Sequence, residues 1–302
     1  MTSKMKMVIT GSSGFTGQHA CLHFLKSGFD VTAVARKHFT IGKEIHIEIC
    51  DLTDKESVSR LIKAVQPHYL LHLAGQNHVG KSWSDPISTL EANAMSTAYL
   101  MNTVQKVNPE CKIVVVGSAL QFDPKTIASL THPYSLSKTL QVLIAQAWST
   151  LYNMNIVIAK PTNLIGPGLS NGVCSIFAKK IAEMEEEKIE RNLNVHNVNA
   201  QRDFIDVRDA VSAYEILFHK GNPGDTYEVS SGKSRSIGEI INVYKDLTNI
   251  HFDVTTQLND QFEEPIRIAP SKLDTLGWKP AISIERSLKD ALDFYRNFIV
   301  HS

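Results

Sequence analysis

A glycine-rich turn between a strand and a helix restricts the fold of this chain more than any other feature of its sequence. Residues 6–10 form the apolar run of a short strand, and the apolar spacing over residues 19–27 predicts a helix. Between them lies the segment GSSGFTG, at residues 11–17. Its glycines allow a tight turn, and the following helix presents free N–H groups and a positive dipole end. This context predicts a pyrophosphate-binding turn, with an ordinary strand-to-helix turn as the alternative.

Strand and helix patterns then alternate through the first half of the chain. Further strands are predicted at 31–35, 45–50, 69–74, 112–117 and 155–159, and helices at 56–65, 87–107 and 134–152. This alternation is typical of a doubly wound parallel sheet, so we expect an α/β fold of the Rossmann type. We expect a cofactor-binding domain over 1–165 plus about 203–230. A smaller C-terminal α/β substrate lobe is expected over 166–202 and 231–302, with helices at 175–191, 237–248 and 283–298.

Composition and charge exclude several classes of protein. The 31 basic residues equal the 31 acidic ones, so the basic excess of a nucleic-acid binder is missing. The sequence contains no apolar run of about 18 residues, so no membrane span is predicted, and residues 1–6 lack the apolar core of a signal peptide. The 4 cysteines are far apart, which indicates free thiols, no metal site and a cytoplasmic protein. The charged run 183–188 is interpreted as a solvated helix face.

The residues around the turn suggest a dinucleotide cofactor. Candidate contacts in the turn are Gly11, Ser13, Gly14, Phe15 and Gly17. The second predicted strand ends in Arg36, where an acidic residue would bind the ribose hydroxyls of NAD. Because a cation suits the ribose 2′-phosphate, NADP(H) is preferred and NAD(H) stays possible; Arg36 stacked on the adenine or in solvent is the alternative. Asp51, followed by Leu52, could accept a hydrogen bond from the adenine amino group.

Three further residues form a catalytic pattern. Tyr134 and Lys138 are four residues apart at the start of a predicted helix, so their side chains share one face. A neighbouring ammonium favours the phenolate, so we expect Lys138 to lower the pKa of Tyr134 into the range useful for acid–base work. Ser118 follows the predicted strand 112–117, at the edge where parallel sheets bind ligands, and can hydrogen-bond the oxygen that Tyr134 protonates.

Taken in this order, these motifs resemble the extended short-chain dehydrogenase/reductase family, which acts on nucleotide sugars. Residues 10–17 match its TGxxGFxG motif, and residues 72–75 and 160–168 resemble its HLAA and RxxNxxGPG motifs. The resemblance implies further cofactor contacts at Leu73, Ala74, Gly75, Asn93 and Pro161. It implies substrate contacts at Gln76, Ser118, Asn163, Arg202 and Arg208, with Asn163 facing the diphosphate. It also implies a homodimer in which helices 87–107 and 134–152 form a four-helix bundle.

One segment narrows the branch of the family. Residues 199–209 are very similar to the corresponding segment of GDP-mannose 4,6-dehydratases and GDP-4-keto-6-deoxy-mannose reductases. This resemblance implies that Arg202 contacts the ribose or diphosphate, and a guanidinium suits bidentate phosphate binding. An ion pair with neighbouring aspartates is the alternative for Arg202 and Arg208. The dehydratases carry an Asp-Glu pair after the catalytic serine, whereas Ala119 and Leu120 cannot transfer a proton, so dehydration is not expected.

The resemblance therefore implies an enzyme, an NADPH-dependent reductase for the C4 keto group of a nucleotide-linked 4-keto-6-deoxy-hexose. An NAD-dependent 4-epimerase uses the same residues and is the main alternative. A non-catalytic NADP-binding regulator and a reductase of free carbonyl compounds are further alternatives. The chain departs from its relatives at residues 259–265, where their Arg-Pro-x-Glu segment has no counterpart, although Arg267 lies nearby.

Overall fold

The computed structural model describes residues 4–257, 263–266 and 268–300. The chain forms two compact units. The first extends to residue 161 and takes in residues 211–227, and the second contains residues 162–210 and the chain from residue 228 onward.

A seven-stranded sheet with the strand order β10-β6-β5-β4-β1-β2-β3 organises the first unit. Its strands are β1 (Lys6–Thr10), β2 (Asp30–Ala35), β3 (His46–Ile49), β4 (Tyr69–His72), β5 (Lys112–Val116), β6 (Ile156–Pro161) and the edge strand β10 (Thr226–Val229). Every pair from β3 to β6 is parallel. Parallel strands need crossover helices, and the chain supplies one after most strands, which confirms the predicted doubly wound sheet.

The helices associated with this sheet differ from the sequence prediction in several places, and two of them, α3 and α8, were not predicted. They are α1 (Phe15–Lys26), α2 (Lys55–Val65), α3 (Val79–Ser84), α4 (Pro86–Leu90), α5 (Ser96–Val107), α6 (Pro133–Tyr152) and α8 (Val207–Lys220), which begins in the second unit. Helix α1 starts four residues earlier than predicted, because Gly14 is an extended N-cap. The single helix predicted over 87–107 is interrupted by a π-helical turn, Glu91–Met95. Periodicity alone does not reveal such a turn.

The described residues of the second unit form two smaller sheets and, apart from the start of α8, four helices. Strands β7 (Asn163–Ile165), β9 (Gln201–Asp206) and β11 (Ser234–Ser236) form one sheet in the order β11-β9-β7, and β8 (Asn192–Val195) pairs in parallel with β12 (Asp253–Thr256). The helices are α7 (Val173–Glu185), α9 (Ile237–Leu247), α10 (Ser271–Thr275) and α11 (Ile284–Val300). The apolar faces of α7, α9 and α11 bury Ile181, Ile240, Leu288 and Leu292 in one core. None of the helices in the described part of the chain is long and apolar enough to cross a membrane.

The helix predicted over 175–191 ends earlier than expected, and its charged run 183–188 is solvated only in part. Helix α7 ends at Glu185 because Glu187 adopts a left-handed conformation, with φ of 53°. The N–H groups of Glu187 and Lys188 bond the carbonyls of Met184 and Glu183, the pattern of a Schellman motif. Glu185 is not a solvated charge either, since it forms an ion pair of 2.6 Å with Arg296 of α11.

Close backbone packing holds the glycine turn in place. Gly11 has a φ of 70°, a conformation that glycine adopts without strain. A Cβ atom on Gly17 would lie 2.2 Å from the Gly11 carbonyl oxygen and 2.6 Å from the Ser12 Cα. The Ser12 hydroxyl accepts a bond of 3.0 Å from the Val34 N–H and so ties the turn to β2. Only a residue without a side chain fits at position 17.

We therefore expect Gly17→Ala to lower the free energy of unfolding by about 1–3 kcal/mol, the usual cost of overpacking. Thermal unfolding followed by circular dichroism measures the effect. Gly42→Ala is the matched control, because a Cβ atom there meets no atom closer than 3.7 Å. A Gly17→Ala variant that unfolds together with the control would contradict this description of the turn.

Candidate active site

The turn after β1 leaves the first turn of α1 open to an anion. Gly14 caps the helix with φ of −77° and ψ of 170°, and a glycine has no side chain that could bond the free N–H groups of the first turn. The first turn contains no acidic residue. Gly14 and Ser13 are exposed, Phe15 is half-buried and Gly17 is buried. An uncapped, uncharged helix N-terminus beside an exposed glycine has the groups that a pyrophosphate requires.

The other predicted cofactor contacts in the first half of the sheet follow neighbouring strands. Arg36 directly follows β2 and is exposed, as is Lys37. Asp51 lies just after β3, where its Oδ1 accepts bonds of 3.0 Å and 2.8 Å from the N–H and hydroxyl of Thr53, and Leu52 is buried. Because parallel strands end at the same edge of the sheet, these residues lie on the side of the glycine turn.

A buried hydrogen-bond chain fixes the loop after β4. The Thr97 hydroxyl donates to the Asn93 carbonyl at 2.7 Å, so it accepts the Nε2–H of His72 at 2.8 Å. The Nδ1 of His72 then accepts from the Thr10 hydroxyl at 2.8 Å, which in turn accepts from the Ala74 N–H at 3.2 Å. Burial, with a smaller contribution from the charge of Lys138, lowers the pKa of His72 to about 3 and keeps it neutral. Leu73, Ala74 and Gly75 are held in this way at the end of β4.

Asn93 connects that loop to helix α6. Its Oδ1 accepts from the Gln76 N–H at 2.7 Å, and its Nδ2 donates to the Gln76 carbonyl and to the Ser137 hydroxyl at 2.9 Å and 2.8 Å. The Ser137 hydroxyl donates to the Tyr134 carbonyl at 2.8 Å. Asn93 therefore bonds protein groups, and the π-helical turn places it there. The sequence indicated Asn93 but not Ser137.

Ser118, Tyr134 and Lys138 are brought together at the carboxyl end of β5. Ser118 lies two residues beyond β5, and Tyr134 and Lys138 lie in the first two turns of α6. Burial raises the pKa of Tyr134 above its usual value of 10.0, and a hydrogen bond with the Ser118 side chain partly offsets this rise. The phenol is therefore protonated at neutral pH.

The expected effect of Lys138 on Tyr134 is wrong for this structure. The ammonium donates to the Val116 carbonyl oxygen at 2.8 Å and to the side chain of Gln141, and does not lower the pKa of Tyr134. Burial lowers the pKa of Lys138 itself to about 7. Sequence spacing placed both residues on one helix face, but it could not show where a flexible lysine side chain ends or how deeply it is buried.

Sequence reasoning also missed the residues that arrange the start of α6. His132 is the N-cap, and its Nδ1 accepts from the Ser135 N–H at 2.9 Å while its ring stacks on Tyr134 with centroids 5.9 Å apart. Gln121 accepts a 3.3 Å bond from the Ser118 N–H. The proline after His132 is a typical first helical residue and was the available signal for this cap.

The second unit contains the other predicted substrate residues. Asn163 is exposed on β7 and donates to the Asp203 carbonyl at 2.9 Å. Arg202 forms a 2.9 Å ion pair with Glu263, and their side chains are 42% and 39% exposed. Arg208 donates from all three of its guanidinium nitrogens to Asp206 and Asp290 at 2.7–2.8 Å.

The two arginines have different surroundings. Each guanidinium nitrogen of Arg208 bonds a carboxylate, and these carboxylates raise its pKa further, so the structure supports the alternative of an ion pair with neighbouring aspartates over substrate binding. The partner of Arg202 is a glutamate distant in sequence, and the guanidinium of Arg202 stays partly exposed.

Pro161 ends β6 and is buried. Residues 259–262 and Arg267 lie outside the described residues.

Comparisons with known proteins agree with this geometry. GDP-6-deoxy-D-mannose reductase of Pseudomonas aeruginosa is 28% identical over 95% of this chain and 96% of its own length. The solved structure of RMD from Pseudomonas aeruginosa complexed with NADPH superposes with a TM-score of 0.83 at 26% identity, over 98% of each chain. The UDP-glucose 4-epimerase of Thermus thermophilus, solved in complex with NAD, has the same fold, with a TM-score of 0.81 at 20% identity over 97% of this chain and 99% of its own.

The family assignment rests on a match over most of the sequence. The family model described as NAD dependent epimerase/dehydratase family matches residues 7–230. This range contains the glycine turn, the loop after β4 and the group of Ser118, Tyr134 and Lys138. This match confirms the resemblance inferred from the motifs. The chain belongs to the NAD dependent epimerase/dehydratase family.

Proposed function

We propose that this chain is an NADPH-dependent reductase of the C4 keto group of a nucleotide-linked 4-keto-6-deoxy-hexose. The observation that carries the proposal is the group of Ser118, Tyr134 and Lys138. Ala119 and Leu120 directly follow Ser118. The group can transfer a proton to a carbonyl oxygen, while the next two positions lack the acid and base of the related dehydratases. Similarity to a GDP-6-deoxy-D-mannose reductase supports the same substrate class, with GDP as the proposed nucleotide.

The first unit is proposed to hold the cofactor. The uncapped first turn of α1 fits a pyrophosphate, and Arg36 and Lys37 fit a ribose 2′-phosphate, because a cation there favours NADP(H) over NAD(H). The loop of Leu73, Ala74 and Gly75 would lie along the dinucleotide. When bound at this edge, a reduced nicotinamide would supply the hydride. The NADPH complex of the Pseudomonas aeruginosa structure supports this choice of cofactor.

The protein residues supply the proton. A protonated phenol is the form required for reduction, and the raised pKa of Tyr134 keeps it in that form at neutral pH. As hydride reaches C4, Tyr134 donates its proton to the C4 oxygen, which Ser118 holds by a hydrogen bond. The products are a C4 hydroxyl and the oxidised cofactor, and the phenolate regains a proton from water. Lys138, in its protonated form, would hold a hydroxyl of the nicotinamide ribose.

The remaining assignments are part of the same proposal. Gln76, Ser118, Asn163 and Arg202 stay proposed substrate contacts. A homodimer through the segments 87–107 and 134–152 is supported by exposed apolar side chains on both, among them Ile87, Met95, Leu143 and Leu151. A cytoplasmic location is supported by the four cysteines, which are buried free thiols.

A panel of GDP-, UDP-, dTDP- and CDP-linked 4-keto-6-deoxy-hexoses with NADPH tests the reaction, with loss of nicotinamide absorbance as the readout. We expect oxidation of NADPH with the GDP-linked substrate. Tyr134→Phe should lower kcat about 100-fold or more, because the proton donor is lost. Tyr152→Phe, at the exposed end of the same helix, is the matched control and should behave as wild type. Oxidation with no member of the panel, together with NAD(H) retained through purification, would favour the 4-epimerase.

Arg36→Asp tests the choice of cofactor. The ratio of kcat/KM for NADPH to that for NADH should fall at least tenfold, because a hydrogen bond to a charged group contributes about 1.5–3 kcal/mol. Lys43→Asp makes the same charge change at another exposed position and should leave the ratio unchanged. An equal ratio in Arg36→Asp and in wild type would remove Arg36 from the cofactor site.

A further inference from the structure

Gln141 is a buried polar residue beside Lys138 that belongs to none of the motifs considered above. It lies on α6 one turn after Lys138 and is fully buried. Its Oε1 accepts a hydrogen bond from the Lys138 ammonium. Residues three apart on a helix are neighbours, so this contact is built into the helix.

The amide nitrogen of Gln141, unlike its oxygen, is unpaired in the described part of the chain. Its Nε2 is buried and has no hydrogen-bond partner among the residues that the structure describes. A buried donor without a partner destabilises a protein, so an apolar side chain of similar size would suit this position better if packing alone mattered. The carbonyl oxygen directed at Lys138 is what distinguishes glutamine from such a side chain.

An ammonium group has three N–H donors in a fixed arrangement. Two of those on Lys138 point to the Val116 carbonyl oxygen and to Gln141, which leaves one for a ligand. We propose that Gln141 is a positioning residue that, together with the Val116 carbonyl, holds the Lys138 ammonium as a cation with its third N–H available to a hydroxyl of the nicotinamide ribose. The part of this inference that concerns the ribose rests on the proposed function.

The charge state of Lys138 should depend on Gln141, because both of its acceptors in the described chain are neutral. Tyr134 on the same helix and His72 at the end of β4 are the titratable groups that face it, and both are neutral at neutral pH. Burial has already lowered the pKa of Lys138 to about 7. A small change in the acceptor at position 141 therefore shifts the balance between ammonium and amine.

Two substitutions of similar size should shift this titration in opposite directions. Gln141→Glu places an opposite charge beside the ammonium and should raise the pKa of Lys138 by about 1 unit or more. Gln141→Met removes the acceptor and should lower the pKa, because the charged form loses a hydrogen bond. Gln146→Glu adds the same charge farther along α6 and should leave the pKa of Lys138 near its wild-type value.

The measurement is a ¹³C NMR titration of the full-length, unliganded protein labelled at lysine, with the Lys138 signal assigned by its loss in Lys138→Arg. Opposite shifts in Gln141→Glu and Gln141→Met, with Gln146→Glu unchanged, are the expected result. Equal titration in wild type and in every folded Gln141 variant would overturn the proposal. Gln141→Asn, which withdraws the acceptor by one methylene group, replaces either variant that fails to fold and should also lower the pKa.

Cofactor binding gives a second readout that uses no sugar substrate. The Kd for NADPH, followed by nicotinamide fluorescence at pH 8, should rise in Gln141→Met and fall in Gln141→Glu, because the first variant holds less Lys138 ammonium than wild type at that pH and the second holds more. If the nucleotide sugars are not reduced but these shifts occur, only the proposed function fails. If the sugars are reduced and Lys138 titrates identically in all variants, only the role of Gln141 fails.

Discussion

The parallel pairing of β1 with both of its neighbours is the interaction on which the candidate site depends. Thr10, the last residue of β1, aligns with Val34 of β2 and with His72 of β4. Because the three strands run in the same direction, the segments that follow them leave the sheet at one edge. The glycine turn, Arg36 and the loop after His72 therefore lie along one edge without any direct contact being needed among them. The hydrogen bonds of Thr10 then fix that loop to the end of β1.

Burial decides the chemistry of the residues around Tyr134. A low-dielectric environment disfavours the charged form of any group, so it raises the pKa of Tyr134 and lowers those of Lys138 and His72. A protonated phenol next to a serine hydroxyl is suited to giving a proton to a carbonyl oxygen. The charge of a lysine whose pKa lies near 7 is sensitive to its hydrogen-bond acceptors, and among the described residues Gln141 supplies its side-chain acceptor. The proposed reductive direction and the proposed role of Gln141 follow from the same physical cause.

The sequence was sufficient for features that depend on local pattern. Short apolar runs between helical segments predicted the sheet, and the glycine spacing predicted the turn, whose packing at Gly17 excludes a side chain. Features that depend on tertiary contacts were not predictable. The π-helical turn contains Asn93, whose side chain bonds residues distant in sequence. Helix α7 ends near Glu187, which adopts a left-handed conformation. The direction of the Lys138 side chain depends on a buried acceptor that no motif marks.

Transfer of deuterium from NADPH labelled at the nicotinamide C4 position tests the central claim most directly. The account predicts that a GDP-linked 4-keto-6-deoxy-hexose gains one deuterium atom at its C4 carbon, with one NADPH oxidised for each product molecule. Mass spectrometry and NMR of the isolated product locate the label. A product that forms without net oxidation of the cofactor, or that carries no deuterium at C4, would contradict the assignment of this chain as a reductase.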